Sequence, residues 1–73
     1  MNDTAAQREF LQTWVAIGPA GAIGSIHRLE DGYTFRLIGD DASRGVFPSL
    51  EVAKSALQAS LPVGSERPEY REH

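Results

Sequence analysis

The chain has 73 residues, 41% hydrophobic and 23% charged, with a net charge of -3 and no cysteine. This is one globular domain of ordinary composition, and it excludes disulfides and thiolate metal sites as staples. The mild acidity, pI ≈ 5.2, disfavours a nonspecific nucleic-acid binder, whose affinity comes from neutralising phosphates.

The core must be small. Below about 70–80 residues a single core rarely supplies more than roughly 3–5 kcal/mol. Pairing with a second copy is therefore an expected source of stability, and a homodimer is expected among the partners. The opening MNDTAAQREF lacks the basic-then-apolar order of a secretion signal. No run approaches the roughly 18 apolar residues of a membrane span, so a soluble cytoplasmic protein with no membrane contact is expected.

The N-terminal DTAAQREFLQTWVAIGP reads in two ways. As a helix, Thr4 and Gln7 have capping-box spacing, Phe10, Trp14 and Ile17 share a face, and Gly18-Pro19 ends it. As a tail followed by a strand, TWVAI is β-prone and GPAG turns it back into AIGSI. The strand reading over Thr13 to Ile17 is preferred, with residues 1–9 a loose arm and Trp14 in the core either way.

AIGSIHRL and YTFRLI are strand-like, with EDG between them. The second alternates, placing Tyr33, Phe35 and Leu37 on one face and Thr34, Arg36 and Ile38 on the other. Two hairpin closures compete: a three-residue loop with Gly32 in the left-handed region, and a two-residue Asp31-Gly32 turn. With the longer loop, Ser25, His27 and Leu29 share the face of Tyr33, and Arg28 lies diagonal to Arg36. With the shorter turn His27 sits opposite Arg36. The choice decides which side chains face the helix, because a one-residue slip turns a whole strand over. GDDASRG is a polar loop, and VFP is short enough for an edge strand ended by Pro48.

SLEVAKSALQASL is the clearest element. Leu50, Ala53, Leu57 and Leu61 recur at helical spacing, widened by Ala56 and Ser60, with Glu51, Lys54, Ser55 and Gln58 opposite. Ser49 is a natural N-cap, Glu51 faces the positive end of the helix dipole, and Pro62 and Gly64 stop the helix. Residues 62–73 alternate charges around two prolines and read as a solvated tail, with Tyr70 its one anchor.

Chemistry-bearing groups are few. No serine has a nucleophile-elbow context. His27 beside Glu30 or Asp31 has the makings of a general base, against the plainer reading of a half-buried strand residue. Asp40-Asp41 lacks the alternating acidic pattern of a calcium loop. Gly18, Gly21 and Gly24 resemble a phosphate loop in spacing, but a strand-like segment follows where a helix is required. No enzyme activity, metal or cofactor is expected. A sheet with one covered face leaves the other open. The expected binding face is Arg28, Thr34, Arg36 and Ile38, arginine beside apolar atoms being typical of protein interfaces.

SIHRLEDGYTFRLIGDD followed by RGVFPSLEVAKSAL resembles the YegP-like small bacterial domains. Tyr33, Phe35, Arg36 and Leu37 carry the resemblance, which covers residues 23–60. It implies a strand, an acidic-glycine turn, an aromatic-x-Phe-Arg-Leu strand, a loop, a third strand and a helix. It departs at Asp40-Asp41, where those domains usually have asparagine-glycine, and it implies little about activity. A looser likeness is to plant AP2-type domains and the arm-binding domains of integrases, which read DNA with a three-stranded sheet. The strands here lack their density of arginine, lysine and tryptophan.

The expected fold is α+β: a three- or four-stranded antiparallel β-meander with one C-terminal helix packed on one face, spanning residues 10–61. The expected role is a non-enzymatic protein-interaction or self-association module. The alternative is a nucleic-acid-binding sheet face using Arg28, Arg36 and Arg44.

Overall fold

The computed structural model describes residues 10–73. The expected arm at 1–9 lies outside the described residues, as does the 3–9 part of the helical alternative over residues 3–17. The elements are β1 (Gln12–Gly18), β2 (Gly21–Leu29), β3 (Gly32–Leu37), β4 (Arg44–Phe47), α1 (Leu50–Ala59) and β5 (Glu69–Glu72). They form an α+β fold: one five-stranded antiparallel sheet in the order β4-β3-β2-β1-β5, with the helix on one face.

The first four strands are the expected meander. The N-terminal segment is a strand from Gln12 onward, because Pro19 and Ala20 turn it tightly into β2 and Gly21 takes a φ of 120°. The fifth strand corrects the sequence reading of 62–73 as a solvated tail. Residues 69–72 pair with β1, Ala16 opposite Tyr70. Tyr70 packs against the core, and the ammonium of Lys54 stands 4.9 Å from its ring centroid. The segment leading into it is tied to the helix by Gln58, whose side-chain amide donates to the Ser65 carbonyl.

The helix forms where its pattern predicts. The Ser49 hydroxyl accepts from the Val52 amide, and Ala53 and Leu57 are fully buried. They meet Ala16, Ile26 and Phe35 from the three central strands, with Trp14, Tyr33, Leu37 and Phe47 around them. Burying a leucine such as Leu57 stabilises by about 1.5–3 kcal/mol relative to exposure. Tyr33, Phe35 and Leu37 thus lie beneath the helix, and Arg36 points away from it.

Neither expected hairpin closure forms. The turn residues are Glu30 and Asp31, with Leu29 opposite Gly32 and Ile26 opposite Phe35. Gly32 has a φ of 148° and belongs to the strand, where a Cβ would come within 2.6 Å of the Phe47 carbonyl oxygen. Glycine is required there by the close approach of β4, not by the turn itself. The register puts Ile26 on the helix face and His27 on the open face.

Candidate binding face

The helix covers one side of the sheet, and the other side carries Thr13, Val15 and Ile17 from β1. Ser25, His27 and Leu29 from β2, and Thr34, Arg36 and Ile38 from β3 and its end, complete it. Arg28 does not belong here. It pairs with Tyr33, so its side chain shares the helix-side face, where it donates to the Gln12 side chain at 3.2 Å. The expectation that Arg28 joins Arg36 is corrected by the hairpin register, which brings His27 instead.

The three remaining expected residues differ in availability. Thr34 is only 3% exposed, and its hydroxyl donates to the Arg44 carbonyl. Ile38 is 69% exposed. Arg36 is exposed, with its Nε donating to the Asp40 carbonyl oxygen at 3.0 Å. The rest of its guanidinium has no carboxylate partner among the described residues. Arg44, by contrast, is paired with Asp40 at 3.0 Å.

His27 sits at the centre of a polar ladder. Its Nδ1 is 3.0 Å from the Thr13 hydroxyl and its Nε2 is 2.8 Å from the Ser25 hydroxyl. Hydroxyls donate or accept, so either tautomer of a neutral ring is satisfied. The Phe10 ring stacks on it, centroids 3.9 Å apart. Burial lowers the pKa of His27 from 6.5, and the charge of Arg36 lowers it further. Both causes favour the neutral ring.

The Ser25–His27 distance is that of a nucleophile and its base. β2 is paired on both edges, so the amides beside Ser25 are committed to the ladders rather than free to hold an oxyanion. Among the described residues no cluster of histidine and acidic groups is arranged to hold a metal. No described helix is long and apolar enough to cross a membrane.

Beside this ladder lies an open groove of ≈ 390 Å³. Its origin is a difference in side-chain height. The middle strand contributes the small Ala22 and Ser25, while Val15 rises on one side and Arg36 and Ile38 on the other. Phe10 and His27 close one end. Of these groups the sequence reading had placed Arg36 and Ile38 together. Val15, Ala22, Ser25 and Phe10 join them only through the register of β2 and the path into β1. Comparison with protein families, with curated proteins and with solved structures finds no match to this chain.

Proposed function

We propose that this domain is a small non-enzymatic interaction module that contacts partner proteins, including a second copy of itself, through the open face of its sheet. The observation that carries the reading is the groove beside Arg36: a mostly apolar lining that includes Val15, Ala22 and Ile38, with a guanidinium that has no carboxylate partner among the described residues. Arginine next to exposed apolar side chains is the composition that protein interfaces favour. The YegP-like resemblance, which rests on fold-bearing residues, agrees with a module of this kind, and a cytoplasmic setting goes with it as part of the proposal. The nucleic-acid alternative has weaker support. Of its three arginines, Arg28 lies on the other face and Arg44 is paired with Asp40, which leaves Arg36.

Sedimentation velocity over a wide concentration range tests the reading. Self-association that rises with concentration and is lost in Ile38→Asp is the expected result. A concentration-independent monomer, or an Ile38→Asp variant that associates as the parent does, contradicts it.

A further inference from the structure

We infer that the groove takes an extended peptide segment of a partner protein in which an acidic residue and an apolar residue are separated by one position. This rests on the open-face reading and adds the chemistry of the occupant.

The groove runs along β2, from Ala22 to His27, with walls supplied by the flanking strands. A bulge between Ala22 and Gly24 leaves four ladder steps, Ile17 to Thr13 on the neighbouring strand, and at about 3.3 Å each they give roughly 13 Å. That length suits an extended segment of about five residues. An extended segment also matches walls that are parallel to the strands.

The spacing of the recognition groups sets the motif. Arg36 and Ile38 are two residues apart and project from the same face. Their Cα atoms are therefore roughly 7 Å apart, with the Arg36 Nε turned toward the Asp40 carbonyl oxygen at 3.0 Å. An extended peptide presents its i and i+2 side chains to one side at the same spacing. A carboxylate on Arg36 then puts the second side chain over Ile38 and Ala22.

Charge fixes the acidic half. Arg36 pairs with Ser25 across the strands and both line the groove, so a carboxylate seated there meets the guanidinium, while the Ser25 hydroxyl stays engaged with His27 Nε2 at 2.8 Å. No carboxylate among the described residues occupies that position. A basic side chain would meet Arg36 without a counter-charge. The neutral state favoured for His27 leaves the guanidinium as the dominant charge of the groove.

The test is an amide-shift titration of the full chain with two capped pentapeptides. They are acetyl-Thr-Glu-Thr-Val-Thr-amide and its reverse-order counterpart, with the glutamate replaced by lysine as control and an oligothymidine as a second control. The glutamate peptides, in one order or the other, should shift the amides of Val15, Ala22, Ser25, Arg36 and Ile38. The lysine control, or the Arg36→Gln variant, should bind about tenfold more weakly. Arg36 is exposed and its substitution leaves the core intact, and a dispersed spectrum of the variant verifies that. Equal response to the glutamate and lysine peptides, a stronger response to oligothymidine, or no shifts at those residues overturns the inference. Self-association through the open face without peptide binding removes this inference alone. Peptide shifts confined to the helix face remove the open-face reading as well.

Discussion

Arg36 lies directly across the β2–β3 pairing from Ser25, on the face that the helix leaves open. The pairing makes the face asymmetric. On one side of Ser25 a neutral histidine is held by two hydroxyls, and on the other a guanidinium stands beside exposed apolar atoms. The helix face carries the stability of the domain, and four consequences separate the two roles.

Leu57→Ala removes a fully buried side chain from the centre of the core. Leucine-to-alanine changes in such sites cost about 2–5 kcal/mol. The loss is comparable to the entire stability expected of so small a core, so circular dichroism should show a largely unfolded variant at room temperature. A native-like urea melt for Leu57→Ala would mean that the helix does not anchor the fold.

Gly32→Ala and Gly64→Ala separate backbone conformation from crowding. Both glycines have positive φ, 148° and 88°. A Cβ on Gly64 meets nothing within 4 Å, whereas one on Gly32 meets the Phe47 carbonyl oxygen at 2.6 Å. Gly64→Ala should cost about 1 kcal/mol from conformation alone. Gly32→Ala should cost considerably more, because backbone of β4 has to move. Equal melting temperatures for the two variants would contradict the β3–β4 approach.

His27 gives the domain a pH dependence of known sign. Its folded pKa is lowered from 6.5 by burial and by Arg36, so the unfolded ring takes up a proton more readily than the folded one. Stability should therefore be constant with respect to this group above pH 6.5. It falls as the pH drops through 6.5 and levels off below the folded ring's own pKa. Urea melts across that range should show the loss in the parent and a smaller one in His27→Gln. An NMR titration placing His27 above 6.5 would reverse the sign and refute the burial argument.

Tyr70 tests the fifth strand. Its ring packs on the core, but its hydroxyl is buried with no hydrogen-bond partner among the described residues. Removing an unpaired buried hydroxyl relieves a desolvation penalty of about 1–3 kcal/mol. Tyr70→Phe should be neutral or stabilising, and Tyr70→Ala should release β5 and lower the melting temperature. Two variants of parental stability would mean that residues 69–72 add nothing to the sheet.

The helix and the third strand were legible because each carries a complete local signal. Ser49 caps, Leu50, Ala53 and Leu57 form the stripe, and Tyr33, Phe35 and Leu37 alternate. The first strand was legible in Thr13 to Ile17 through its β-prone side chains and the turn-forming Pro19. The hairpin register was not. Gly32 suggests a turn glycine by type, yet its role is set by the carbonyl of Phe47, fifteen residues further along. The observed register keeps Arg28 off the candidate face and places His27 on it, the face that the two-residue Asp31-Gly32 turn also assigns to His27. The fifth strand was hidden by its composition. An edge strand needs only one apolar side chain toward the core, and EYRE has Tyr70 for that purpose among charges that suit an exposed edge. The groove was illegible for the same reason as the register, since it exists only where Val15, Ser25 and Arg36 line up across three strands.

The open sheet face as the contact surface is tested most directly by following amide shifts of the full chain on dilution. Concentration-dependent shifts should gather at Val15, Ala22, Ser25, Arg36 and Ile38, with the exposed side of the helix unchanged. Shifts gathered instead on Glu51, Val52 and Ser55 of the helix, or no dependence on concentration at all, would contradict it.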